Sequence, residues 1–190
     1  MRYLLLVTAF LFMGPLPMAA WNEPEEFRGL RLGQNLRDQA RECPPSSSKG
    51  KERCWELVAP PDAYGSAVYT LHNFGPIGDL SGGSMFARQW NDRLIWIALT
   101  MTHDGYSRLR DIVVQRYGRP TSEYTEEVVS KTGVKWPNQI SRWQGSRVSI
   151  ELHERSSRVD QTSLSAYTAE LAEYEQRKRS EERKKGGRDL

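Results

Sequence analysis

Apolar residues recur at helical spacing, with both ends marked, in one stretch. In residues 104–120, DGYSRLRDIVVQRYGRP, Leu109, Ile112, Val113 and Tyr117 fall at i, i+3, i+4 and i+8. That spacing puts them on one face of a helix. Asp104 stands where an N-cap is needed. Gly118 can take the left-handed conformation that ends a helix, and Pro120 forbids continuation. The pattern predicts a helix of about three turns.

Elsewhere the apolar runs are short and read as strands. Residues 85–90 and 93–101 form a hairpin turning on Asn91-Asp92. Its second arm, through Leu94-Ile95-Trp96-Ile97-Ala98-Leu99, is apolar at successive positions, as in a strand covered on both faces. Residues 140–143 and 147–153 form a second hairpin around Gly145-Ser146. Here Val148, Ile150 and Leu152 alternate with Ser149, Glu151 and His153, and Trp143 is expected opposite Val148 on the buried face. Shorter strands are expected at 27–33, 54–59, 66–71 and 162–167, and residues 122–131 form a polar arm. A brief helix starts from Asn35 and runs over 36–42. A terminal helix starts at Thr168 and turns Leu171 and Tyr174 to the body. Each Trp-bearing hairpin follows a short helix, which suggests a loose internal duplication. The expected class is α+β: an antiparallel sheet of two hairpins plus short strands, covered by helices on one face.

The first twenty residues set the compartment. Arg2 precedes an uncharged apolar run over 3–13, Gly14-Pro15 breaks it, and Met18-Ala19-Ala20 ends it with small residues. This is the layout of a cleavable secretory signal. The run is short for a bilayer span, and no second long apolar run follows. The expected organisation is a signal peptide over 1–20, a single α+β domain over 21–176, and a basic tail over 177–190 that is frayed or disordered. The mature chain is expected in the periplasm, without a transmembrane span.

Charge and cysteines refine this picture. The chain has 27 Lys and Arg against 24 Asp and Glu, and the tail holds seven of the basic and three of the acidic residues. The globular part is therefore not a polycation, which argues against nucleic acid as a partner. The tail is left with weak contact to an anionic surface. Cys43 and Cys54 are the only cysteines. In an oxidising compartment they are expected to form a disulfide closing a short loop.

The pattern assigns no catalytic residue, no cofactor site and no metal site. His72, His103 and His153 lie in different segments without ligand spacing. Ser84 follows two glycines but lacks the second glycine of a nucleophile elbow. Residues 46–49 match S-x-x-K and residues 131–133 match K-T-G, as in penicillin-recognising serine enzymes. The first match sits in a Pro/Ser/Lys loop, where a buried helix start is needed, and no S-D-N element stands between them. Glu123, Glu126, Glu127 and Glu151 read as solvated. Of the six tryptophans, Trp90, Trp96 and Trp143 fit burial in the sheet. Trp21, Trp55 and Trp136 are the candidates for partner contact, with an envelope protein or a glycan as the partner.

Phe27, Gly29 and Gly33, the Cys43 and Cys54 pair, the Tyr117-Gly118-Arg119-Pro120-Thr121 turn and the Trp143 hairpin together resemble one family. Its members are small exported bacterial proteins with a paired cysteine and no assigned activity. Gly118-Arg119-Pro120 before a meander is more distantly similar to the envelope domains typified by the lipoprotein BamE and the β-lactamase inhibitor protein. The resemblance implies an envelope protein and carries over no catalytic residue. The functional expectation is a non-catalytic binding or structural module. The alternatives are a small cell-wall or glycan hydrolase and an inhibitor of an envelope enzyme.

Overall fold

The computed structural model describes residues 21–45, 51–80, 83–130, 132–156 and 158–186. The expected signal peptide and, of the serine-enzyme match, residues 46–49 and Lys131 lie outside these. The strands are β1 (Arg41–Glu42), β2 (Cys54–Ala59), β3 (Ser66–His72), β4 (Ser84–Trp90) and β5 (Arg93–Thr102), then β6 (Ser122–Val129), β7 (Lys135–Trp143), β8 (Val148–His153) and β9 (Gln161–Thr168). Helix α1 (Tyr106–Tyr117) lies between β5 and β6, and α2 (Ala169–Gly186) follows β9. All nine strands belong to one sheet, in the order β1-β2-β3-β4-β5-β9-β8-β7-β6.

This corrects the expected antiparallel sheet of two hairpins under helices. The sheet is mixed, since β1 runs parallel to β2 while the remaining neighbours are antiparallel. Each hairpin lies inside a four-strand meander, β2–β5 or β6–β9. The last strands of the two meanders pair with each other, from Trp96↔Tyr167 to Thr102↔Gln161. A hairpin leaves unpaired edge groups, and this junction satisfies them across the middle of the molecule. The two halves share the four-strand meander, but a three-residue 3-10 turn precedes the first and α1 the second.

Local signals account for several elements. Asn91 and Asp92 both have positive φ, 50° and 59°, the geometry of a two-residue hairpin turn that follows strand twist. Gly118 ends α1 at φ 86°, and its N–H donates to Val114 O at 2.8 Å. The disulfide joins Cys43 and Cys54 across a Cα separation of 4.9 Å. It lies beside the short parallel pairing of β1 with β2.

Other local expectations give way to tertiary contacts. Asp104 does not cap α1; it lies in a 3-10 turn, His103–Gly105, that continues directly from β5. That turn is held by His103 N–H donating to Asp160 O. Residues 27–33 are not a strand: Phe27 and Leu30 bridge across a tight turn, and both are buried. Asn35 does accept from Arg37 N–H, but the helix it starts is only the 3-10 turn Leu36–Asp38. Trp143 pairs with Ile150 instead of Val148, because the β7–β8 connection leaves Val148 and Ser149 paired only with β9. The basic segment expected to fray continues α2 as far as Gly186. Arg179–Glu175 and Lys184–Glu181 pairs lie along its surface.

The core lies on one face of the sheet. Leu109, Val113 and Tyr117 of α1 join Ile97, Leu99, Ile150, Leu152, Leu164 and Ala166 in one apolar cluster. The loops carrying Phe27, Leu36, Phe74 and Ile77 complete it. Trp143 is fully buried and its indole N–H donates to Gly118 O at 2.9 Å, tying β7 to the end of α1. The first described residues strap the same corner. Trp21 donates to Gln144 O, and the Glu23 carboxylate accepts the backbone N–H groups of Ser146, Arg147 and Val148. Burial alone would raise the Glu23 pKa, but these donors more than offset that and lower it.

Glu23→Ala would leave those N–H groups without their acceptor. The expected loss is about 2 kcal/mol in urea unfolding of the oxidised chain. Unchanged stability would show that water replaces the carboxylate without loss.

Candidate functional site

Among the described residues, the second face of the sheet is covered by a helix only at one end. There Leu171 and Tyr174 of α2 pack with Trp90, Ile95, Trp96 and Tyr64. The Tyr174 hydroxyl donates to Asp62 at 2.7 Å. Beyond that point the strands present their second set of side chains without a covering helix. Strand alternation puts Trp96, Ala98 and Thr100 of β5 on this face beside Tyr167, Ser165 and Ser163 of β9.

The face curls into a groove of about 520 Å³. Trp96, Ala98 and Thr100 line it from β5, and Glu126 and Val128 line it from β6. These strands stand four places apart in the sheet, about 19 Å in a flat sheet. A shared cavity of this size requires the β6–β7 ribbon to bend over the face. Residues 135–138 of β7 have strand pairing only with β6, so this part of the ribbon is free of β8 and can curl. The floor is made of small side chains, and the walls carry the large ones.

Three arginine–aromatic pairs are distributed over this face. The Arg155 guanidinium lies 4.9 Å from the centre of the Trp136 ring and is held by the carbonyls of Pro137 and Val159. Arg142 lies 5.8 Å from the Tyr124 ring centre, and Arg88 lies 6.0 Å from that of Trp96. Stacking of this kind fixes large side chains before any ligand arrives.

Glu151 sits at the centre of a polar cluster. Its carboxylate accepts from Arg142 Nε and from the Tyr167 hydroxyl at 2.9 Å, and it lies 3.2 Å from His153 Nε2. The His153 hydrogen bond, followed by those of Tyr167 and the Arg142 charge, outweighs burial and holds its pKa at about 2. Burial and the neighbouring Glu151 charge push the Tyr167 phenol upward. A carboxylate held this way is a weak base near neutral pH. The expectation that Glu151 is solvated is corrected, whereas Glu123 is exposed on β6, as expected, while binding Arg110 and Ser141. Glu126 and Glu127 are exposed as well; Glu127 pairs with Lys135, and Glu126 accepts from Asn138 at the groove wall.

The expected contact tryptophans separate. Trp136 is 40% exposed and stands on the open face. Trp55 is only 6% exposed and is corrected as a contact residue: pairing of β2 with β3 puts it opposite Leu71, on the core face. Trp21 is half-buried against the core and faces the β7–β8 turn. Trp96, read from sequence as a buried strand residue, lines the groove. Only the long-range pairing with β9 reveals which side of β5 is open. The histidines pair separately with glutamates, His72 with Glu56, His103 with Glu154 and His153 with Glu151. Among the described residues no three metal-type ligands converge. Comparisons with protein-family models, curated proteins and solved structures found no match.

The pH response follows from Glu151. Its folded-state pKa lies below the ordinary value of 4.5, so its contribution is complete above that value and disappears as pH falls toward 2. Glu151→Gln is expected to cost about 2 kcal/mol at pH 6 and progressively less in urea melts between pH 4.5 and 2. A pH-independent difference would exclude this assignment.

Proposed function

We propose that the chain is an exported, non-catalytic binding module whose curled open sheet face grips a segment of another protein in the bacterial envelope. The observation that carries this reading is the set of arginine-stacked aromatic rings on the open face, Trp136, Tyr124 and Trp96, of which Trp96 lines the groove beside small side chains. Tryptophan, tyrosine and arginine are the residues on which protein interfaces concentrate their binding energy. Rings already held by guanidinium groups lose little side-chain entropy on docking. Glu151, the most enclosed carboxylate of the face, is committed to structural donors, which supports binding over hydrolysis.

The Cys43–Cys54 disulfide fits an oxidising compartment such as the periplasm, reached through the signal over 1–20. Among the described residues no helix is long and apolar enough to cross a membrane. The basic end of α2 adds weak attraction to an anionic surface. Inhibition of an envelope enzyme is the second reading. It is favoured by the groove's volume of about 520 Å³, which would admit a protruding loop.

The test uses oxidised protein to capture envelope proteins, each of which is then purified and titrated alone. For a true partner, Trp136→Ala and Trp96→Ala are expected to weaken binding at least tenfold, while Leu57→Ser on the β2 edge leaves it unchanged. Equal affinity across the three variants would remove the open face as the binding surface.

A further inference from the structure

A second cavity lies on the opposite, helix-covered side. It occupies about 310 Å³ between the 27–30 turn, the loop through Ile77 and Gly78, and α1. Its lining divides into two kinds of surface. Ile77, Ile112, Val113 and Leu164 make an apolar interior, and Leu164 belongs to the central strand β9. Arg28, Arg53 and Arg116 supply three guanidinium groups, with Glu26 as the carboxylate in the lining.

The arginines are arranged unlike ordinary surface charges. Among the described residues none of the three has a carboxylate ion pair. Arg28 Nη2 donates to the carbonyls of Phe74, Gly75 and Pro76, while Arg28 Nε is buried without a partner. Arg28 also has φ 58°, a left-handed conformation that costs a non-glycine residue free energy. Arg53 stacks on the Phe74 ring and Arg116 on the Tyr117 ring, which positions both without neutralising them. A side-chain carbon at Gly29 would collide with the Arg53 guanidinium, so the glycine lets Arg53 lie across the turn. Burial, then repulsion from Arg53 and Arg116, lowers the Arg28 pKa. An incoming anion would relieve that repulsion.

We propose that this cavity binds a small amphiphilic anion, with a carboxylate or phosphate head at the three arginines and a short hydrocarbon tail against Ile77, Ile112 and Leu164. Guanidinium groups are the preferred donors for both heads. The cavity is at the small end of ligand-pocket volumes, which limits the tail to a short chain. The site lies across the sheet from the open face, so its occupancy does not depend on the protein-binding reading.

The experiment is calorimetric titration of the full oxidised chain, purified from the periplasm, with octanoate, octyl phosphate, inorganic phosphate and octanol. Octanoate or octyl phosphate is expected to bind at least tenfold more tightly than either phosphate or octanol. The stronger of the two identifies the head. Arg53→Ala and Arg116→Ala replace exposed side chains, so the fold survives, and each is expected to weaken binding at least tenfold. Ile112→Trp is expected to block the tail and bring octyl phosphate down to the level of phosphate. Trp136→Ala on the other face is expected to bind as the wild type does. The proposal is overturned if octanol binds as tightly as octanoate, if inorganic phosphate matches octyl phosphate, if no probe binds, or if both arginine variants bind normally.

Discussion

The pairing of β5 with β9 determines the inside and outside of this protein. It runs from Trp96↔Tyr167 to Thr102↔Gln161 and joins the ends of the two meanders. In this register Ile97 and Leu99 lie with Ala166 and Leu164 on the α1 side. Trp96, Ala98 and Thr100 lie with Tyr167, Ser165 and Ser163 on the open side. A slip of one residue would exchange the two sets. The serines of β9 would then meet α1, and its leucine would meet water. Apolar on both sides, β5 tolerates either orientation; the strict alternation of β9 selects one.

Helix α1 follows from that choice. It supplies Leu109, Val113 and Tyr117 to the apolar side of the junction, and Trp143 and Gly118 lock its end to β7. Among the described residues the opposite side has only the start of α2, which shelters Trp90 and Ile95 and leaves the rest to curl under the β6–β7 ribbon. The two cavities therefore have different origins. The groove is the sheet's own curvature, floored by small residues. The arginine pocket is a gap between α1 and two tight turns that do not pack fully against it.

Much of the local structure was legible. Four apolar residues at helical spacing located α1, Asn91-Asp92 located a hairpin, Gly118 located a helix end, and two cysteines in a chain expected to be exported indicated their bond. The errors share a physical cause. Asp104 has the chemistry of a cap, but β5 runs straight into the turn that contains it, and no capping position remains. Residues 27–33 have the composition of a strand, but burial of Phe27 and Leu30 folds them into a turn. Trp55 and Trp96 exchanged roles because composition does not say which face of a strand is covered. Arg28, Arg53 and Arg116 gave no signal, since they come from segments far apart in the chain.

By itself the sequence determined what depends on neighbours a few residues apart: turns, the period of the hairpin strands, the apolar face and end of α1, and the export signal expected at its beginning. Tertiary structure alone decided which strands meet, which of two faces is open, and which charged groups converge. Those outcomes depend on contacts between distant segments, where the entropy of closing long loops is offset only by the collective burial of the assembled sheet.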